Sequence, residues 1–107
     1  MKSLLAFLLL ATCESAAQAA EPGMFLCPSP VIANDFYSAL LTVQSAGVHV
    51  DRDVEATVAL KNRCQFVASV RLRPINCVSQ ELLITDGTIS GWASPYLFII
   101  YANAPTE

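Results

Sequence analysis

The sequence has little of what most catalytic and nucleic-acid-binding sites require. It contains one histidine, His49, and only six lysine or arginine residues, which form no basic cluster. Zinc sites and hydrolase triads need histidines or paired cysteines, and nucleic-acid binding needs basic side chains that neutralise phosphates. The motifs G-x-S-x-G and H-E-x-x-H and a glycine-rich phosphate loop are also missing. We therefore expect no nucleic-acid partner, no enzyme, and no metal or cofactor.

Residues 1–19 have the pattern of a cleaved secretory signal. Lys2 precedes an apolar run over residues 4–11, which is shorter than the roughly 20 apolar residues that a bilayer span needs. Ala17 and Ala19 place small side chains where a signal peptidase reads the chain. In an alternative interpretation, the residues before Cys13 resemble the lipobox of bacterial lipoproteins, whose cysteine is acylated. We expect a periplasmic or secreted protein, with a lipoprotein anchored through Cys13 as the alternative.

The remaining residues, 20–107, are enough for a single small domain with a modest core. They carry five basic and eight acidic residues, so their net charge is −3. No second apolar stretch is long enough to cross a membrane, so we expect no transmembrane segment after signal removal.

Three cysteines remain after the predicted signal, which leaves one of them without a partner inside the chain. Strands predicted over 65–72 and 79–85 would pair as a hairpin and hold Cys64 and Cys77 roughly 20 Å apart. A disulfide requires Cα atoms within about 7 Å of each other. The sequence therefore predicts a Cys27–Cys64 disulfide and a free thiol at Cys77.

Two helices are predicted in the first half of the domain. Ser29 is a suitable N-cap for a helix over 30–46, in which apolar residues recur at every third or fourth position. Asp51 is a suitable N-cap for a shorter helix over 52–62, although an alternating strand fits part of that segment equally well.

The second half of the domain has the alternation of a small antiparallel sheet. Strands are expected over 65–72, 79–85, 88–93 and 97–102. Asp86 and Gly87 predict a type I′ turn, because Asp-Gly between apolar, β-branched runs favours that hairpin. Residues 21–25 are expected to be a disordered lead. The predicted fold class is α+β.

The segment from Gly91 to Leu97 resembles the end of SH3-type barrels, including bacterial SH3-like domains. In that family a glycine–aromatic pair leads into a one-turn 3₁₀ helix with proline and tyrosine, and then into a short last strand. The resemblance implies that Trp92, Pro95 and Tyr96 lie on a peptide- or glycan-binding surface. A small SH3-like barrel with an added helix is therefore the alternative fold.

The favoured function is a non-enzymatic binding module, such as an inhibitor, an immunity protein or an accessory subunit of an envelope complex. Aromatic side chains with polar tips are enriched in binding sites, so Trp92 and Tyr96 are the leading candidates. Trp92 is also suited to the core. The expected partner is another envelope or secreted protein, or a cell-wall ligand.

Two alternatives remain open. A small hydrolase or metal-dependent enzyme could be centred on His49 with Asp51 or Asp53. A structural homodimer could form through edge strands or through a bridge between two copies of Cys77. The acidic residues of the second half, including Glu81, are interpreted as solvated.

Overall fold

The computed structural model describes residues 22–103 as three helices packed on two small antiparallel sheets, an α+β fold. The predicted signal sequence of residues 1–19, with Cys13, lies outside the described residues, as does Glu21. The elements in chain order are β1 Gly23–Leu26, α1 Pro30–Ser45, α2 Arg52–Asn62, β2 Gln65–Ala68, β3 Arg73–Val78, β4 Glu81–Thr85, β5 Ser90–Ala93 and α3 Pro95–Ala102.

The two predicted helices form where their caps lie. The Ser29 side chain accepts a hydrogen bond from the Ile32 amide at 3.2 Å, which satisfies one of the free N–H groups at the start of α1. The Asp51 side chain accepts from the Val54 amide at 2.9 Å and starts α2 in the same way. Helix α2 ends at Asn62, and its C-cap Arg63 adopts a left-handed conformation with φ of 61°. The strand alternative for this segment is therefore wrong.

The predicted disulfide between Cys27 and Cys64 is confirmed, with Cα atoms 4.1 Å apart. The hairpin from which it was deduced is wrong. Strand β2 pairs with β1, in the register Gly23 with Ala68 and Leu26 with Gln65. Residues 23–25, expected to be disordered, are instead buried in β1.

The second sheet has the strand order β3-β4-β5, with all its strands antiparallel. Strand β3 covers residues that were expected to form a loop because they include Pro74 and Asn76. Ser79 and Gln80 connect β3 to β4 with φ values of 53° and 69°, so a two-residue turn forms without glycine. Strand β4 begins at Glu81, two residues after the predicted start of 79.

The hairpin of β4 and β5 is confirmed, but its turn differs from the predicted type I′. The loop covers residues 86–89, and its ends are joined by a 3.2 Å hydrogen bond from the Asp86 amide to the Ile89 carbonyl. Only Gly87 has a positive φ, of 101°, whereas a type I′ turn requires two such residues. The Asp86 carboxylate accepts from the amides of Thr88 and Ile89, at 2.8 and 2.9 Å, and holds the wider loop.

The predicted last strand over 97–102 is wrong, because this segment is helix α3. Pro95 occupies the first turn, where its missing N–H is not needed, and the Ser94 side chain accepts from the Tyr96 amide at 3.2 Å. A short apolar run does not distinguish a strand from a helix by its periodicity. The SH3-like alternative is wrong here too, since α3 replaces the last strand and the strands form two sheets.

Strand β1 contributes side chains to two hydrophobic clusters. The first cluster contains Phe25, Cys27 and Phe36, and lies under α1 and α2. The second contains Met24, Leu26 and Ile84, among others, and is covered by Leu97, Phe98 and Tyr101 of α3. Because successive side chains of a strand point to opposite faces, β1 lies between the two clusters and links them.

Tyr101 fastens α3 to the chain after β2. Its hydroxyl donates to the Ser69 carbonyl at 2.8 Å and accepts from the Leu72 amide at 3.1 Å. We expect Tyr101→Phe to lower the free energy of unfolding by about 1–2 kcal/mol, because two partly buried backbone groups lose their partner. Chemical denaturation would measure the loss, and faster hydrogen exchange at the Leu72 amide would locate it. An unchanged Leu72 exchange rate would contradict this role.

Candidate functional site

The candidate site is the place where α1 and α3 meet at one end of the second sheet. Tyr37 of α1 and Tyr96 of α3 stack there, with ring centroids 5.5 Å apart and ring planes 16° apart. Tyr96 is 63% exposed, and Tyr37 is half-buried. A large aromatic side chain left open to solvent beside another ring is typical of a contact surface. We call Tyr37 and Tyr96 the tyrosine pair.

The three predicted binding residues, Trp92, Pro95 and Tyr96, have different surroundings. Trp92 is half-buried against the first hydrophobic cluster, and its backbone forms two 2.8 Å hydrogen bonds with Cys27 that join the two sheets. Pro95 is half-buried in the first turn of α3. Of the three predicted residues, Tyr96 is the one with a largely exposed side chain.

The exposed apolar surface continues along α3. Ile99 and Ile100 follow Tyr96 by three and four positions, so the three side chains share one face of the helix. All three are exposed, whereas Leu97, Phe98 and Tyr101 pack on the second cluster. We call Tyr96, Ile99 and Ile100 the outer face of α3.

Glu81 is buried, although the sequence interpretation placed it in solvent. The residue is only 7% exposed, and its Oε1 atom is buried with no hydrogen-bond partner among the described residues. Burial raises the pKa of this carboxyl group above its ordinary value of 4.5. A buried carboxylate oxygen without a hydrogen-bond partner is costly, because no group replaces the water that it loses.

The strand register places Glu81 at the same end of the sheet as the tyrosine pair. Leu82 pairs with Ala93, so Glu81 lies one position further on, beside Ser94 and the start of α3. Leu82 and Ile84 pack in the second cluster under α3. Because side chains alternate along a strand, Glu81 lies on the opposite face, with Leu83 and its cross-strand partner Trp92, which packs against the first cluster.

Glu81→Gln provides a test of this burial through its pH dependence. A carboxyl group with a raised folded-state pKa binds its proton more tightly when folded. The loss of folding stability caused by its charge is therefore absent below pH 4.5 and grows as the pH rises through the raised pKa. We expect Glu81→Gln to increase the free energy of unfolding by roughly 1 kcal/mol at pH 7 and to leave it unchanged near pH 4. Urea denaturation at both pH values measures the difference, and an equal effect at the two would contradict it.

His49 lies between α1 and α2 with an exposed side chain. Asp51 and Asp53 are exposed as well, and the Asp51 carboxylate accepts from the Val54 amide as the N-cap of α2. In the part of the chain from 22 to 103, no three histidine, cysteine or acidic side chains are grouped as ligands of a metal would be. None of the helices in that part has the length and apolar character needed to cross a bilayer.

Cys77 is exposed and forms no disulfide with any other residue of the described range. It lies on β3, an edge strand of the second sheet. Three features interrupt the row of backbone hydrogen-bonding groups along this edge. They are Pro74, a register shift at Ile75, and a 2.8 Å hydrogen bond from the Cys77 amide to the Asn76 side chain. Such features oppose the addition of another strand, so the edge is poorly suited to a dimer.

A separate depression of about 260 Å³ lies beside the disulfide. Its lining residues are Leu26, Cys27, Pro28, Arg63, Gln65 and Ser90. The predicted binding residues do not line it, and it contains no buried unpaired polar group comparable to Glu81.

Sequence reasoning missed Tyr37 of the tyrosine pair and the burial of Glu81. The available signal for Tyr37 was its position directly after the core residue Phe36 and outside the apolar stripe of α1. The sequence carries no comparable signal for Glu81, because its burial depends on the register of β4 and on the packing of α1. No protein-family model matches the chain, and no curated protein or solved structure is significantly similar to it.

Proposed function

We propose that the protein is an exported, non-enzymatic binding module that contacts its partner through the tyrosine pair. The observation that carries this proposal is the exposure of Tyr96 while it is held in place by stacking on Tyr37. A ring fixed by its neighbour loses little conformational freedom on binding, and therefore contributes much of its buried area to affinity.

Export is supported by the disulfide and by the pattern of residues 1–19. The Cys27–Cys64 bridge is stable in an oxidising compartment, as found outside the cytoplasm. The intact mass of the protein recovered from the periplasm or medium tests this part of the proposal. We expect cleavage after residue 19 and a mass increase of two hydrogen atoms on reduction of the disulfide. A cytoplasmic protein with an uncleaved N-terminus would contradict it, and an acylated Cys13 would establish the lipoprotein alternative.

Binding is tested with labelled exported protein and fractionated envelope material, including purified cell wall. We expect saturable binding that Tyr96→Ala reduces at least about tenfold, since an aromatic residue at the centre of a contact contributes more than 1–2 kcal/mol. Val31→Ala, which truncates an exposed apolar side chain elsewhere on α1, is the matched control and should bind normally. Thermal unfolding of both variants checks the fold. Equal binding by the Tyr96→Ala variant would overturn the proposed surface.

A further inference from the structure

We infer that the depression beside the Cys27–Cys64 disulfide binds a carboxylate group, with Arg63 as the cation that receives it. The inference goes beyond the proposed function, because the tyrosine pair does not line this depression. Pockets for drug-sized ligands measure roughly 300–1,000 Å³, so a volume of about 260 Å³ suits a group the size of one amino-acid residue.

The side chains around the depression include hydrogen-bond donors and no acid. Guanidinium, amide and hydroxyl groups come from Arg63, Gln65 and Ser90, all of which are exposed, and the other lining residues carry no charge. A guanidinium pairs with a carboxylate through two parallel hydrogen bonds, and such charge-assisted bonds are roughly twice as strong as neutral ones. Arg52 with Glu55 is the ion pair found between residues 22 and 103, so the Arg63 guanidinium has no acidic partner there.

Arg63 occupies a position that usually carries glycine. It follows the last turn of α2 with φ of 61°, where glycine or asparagine is the common residue because other side chains are strained. Strained residues of this kind are frequent at binding sites, where the surrounding structure fixes them. Here the Arg63 amide donates to the Leu60 carbonyl at 3.3 Å, and the Cys64 amide donates to the Ala59 carbonyl at 3.0 Å. The backbone that carries the guanidinium is therefore held in place.

The disulfide joins two walls of the depression. Cys27 lines one wall, and its partner Cys64 lies in the chain between Arg63 and Gln65 of the other. Leu26 and Gln65 are also paired across β1 and β2. A site fixed in this way loses little conformational freedom when a ligand binds, so more of the interaction energy appears as affinity.

Ser90 adds backbone groups to the same depression. The amide and the carbonyl of Trp92 both bond to Cys27 at 2.8 Å, and alternate residues of an antiparallel strand direct these groups to the same side. Ser90 lies two positions before Trp92 and therefore directs its amide and carbonyl to the side of Cys27, where the chain turns away into α1. An amide and a carbonyl at a strand edge bind the backbone of an extended polypeptide. This favours an acidic residue of a polypeptide over a free carboxylic acid as the source of the carboxylate.

The chain around Arg63 is positively charged, although the whole chain is not. Residues 56–80 contain four basic and no acidic residues, a net charge of +4, in a protein of net charge −3. Asp53 and Glu55 lie in the first turn of α2, roughly 12–15 Å from Arg63 at 1.5 Å per residue and beyond a Debye length of about 8 Å. Asp86, the acid closest in sequence to Ser90, accepts from two backbone amides of its own loop. An anion that approaches Arg63 therefore meets little repulsion.

The test titrates the exported protein with a residue-sized probe. The probe is glutamate with an acetylated amino group and an amidated main-chain carboxyl group, so that its side chain is its one carboxylate. The corresponding glutamine compound is the neutral control. Nuclear magnetic resonance follows the Arg63 Nε–H and the Ser90 amide. We expect saturable shifts of both signals with the glutamate probe and none with the glutamine compound.

Arg63→Asn removes the cation and keeps a residue type that tolerates the left-handed conformation. We expect it to weaken binding of the glutamate probe at least about tenfold, because the charge-assisted bonds are lost. Arg71→Asn is the matched control, since Arg71 is an exposed basic residue that does not line the depression. This variant should bind like the unmodified protein. Thermal unfolding of both variants checks the fold, and Arg63→Asn should unfold at no lower temperature than the unmodified protein.

An acetylated and amidated tripeptide of alanine, glutamate and alanine distinguishes the two sources of the carboxylate. Binding at least about tenfold tighter than that of the single-residue probe would support a polypeptide, because its backbone pairs with Ser90. Equal affinity would assign the site to a free carboxylic acid and overturn the polypeptide source.

Three results would overturn the carboxylate site itself. They are the absence of saturable shifts with the glutamate probe, equal binding of the glutamine compound, and unchanged affinity in the Arg63→Asn variant. An equal loss of affinity in Arg71→Asn would also overturn it, because it would show a general attraction to positive charge. None of these results bears on binding through the tyrosine pair, which Tyr96→Ala tests separately.

Discussion

Replacing Cys27 and Cys64 together with alanine is expected to lower the free energy of unfolding by about 4 kcal/mol. The bridge closes a loop with a sequence separation of 37 residues, and its loss gives the unfolded chain more conformational entropy. Small domains have total stabilities of roughly 5–15 kcal/mol, so the loss would leave this one marginal. Guanidinium denaturation followed by circular dichroism measures the change.

Reduction of the unmodified protein should reproduce most of that loss without removing any side chain. Cys77→Ser is the control for thiol chemistry, since Cys77 is exposed and lies outside the bridge. Its denaturation midpoint should match that of the unmodified protein. Coincident midpoints for the oxidised and reduced forms would show that the bridge does not stabilise the fold.

Phe36→Ala is expected to lower the free energy of unfolding by about 3–5 kcal/mol. Phe36 is 2% exposed and packs with its ring centroid 6.0 Å from that of Phe25. Truncation would leave a cavity where α1 meets β1, and the surrounding backbone could close it only in part.

Val31→Ala is the matched control, because Val31 lies on the same helix and is 70% exposed. Its effect should stay within about 0.5 kcal/mol. Urea denaturation of both variants makes the comparison. A loss below about 1 kcal/mol for Phe36→Ala would mean that α1 is not packed on the sheet as described.

Local signals predicted the two longer helices. Ser29 and Asp51 lie directly before apolar patterns with helical spacing, and a cap acts within a few residues of its helix. Strand β1 had no comparable signal. It is only four residues long, and its partner β2 lies about 40 positions later in the chain. Pairing over such a distance depends on tertiary packing, which composition and periodicity do not report.

Two errors in the sheet arose where a local rule has exceptions. Arg73 and Pro74 suggested a loop, but proline is tolerated on an edge strand and β3 is one. Ser79 and Gln80 form the turn with positive φ values that usually indicate glycine or asparagine. Because this turn was not recognised, β4 was assigned to the wrong partner strand.

The candidate site was only partly predictable for a related reason. Tyr96 was identified as an aromatic side chain with a polar tip, in a segment that resembles the binding surface of SH3-type barrels. The stacking of Tyr37 and the burial of Glu81 depend on the approach of α1 to the second sheet. Residue type alone does not distinguish a buried acidic side chain without a partner from a solvated one, since most acidic residues are solvated.

The position of β1 between the two hydrophobic clusters has a practical consequence for handling the protein. The Pro22 carbonyl accepts a hydrogen bond from the Ser69 amide at 3.1 Å, so backbone pairing begins immediately before β1. A protease that trims the chain past this point would remove a strand shared by both clusters and release each of them. Any N-terminal trimming should therefore stop before Pro22.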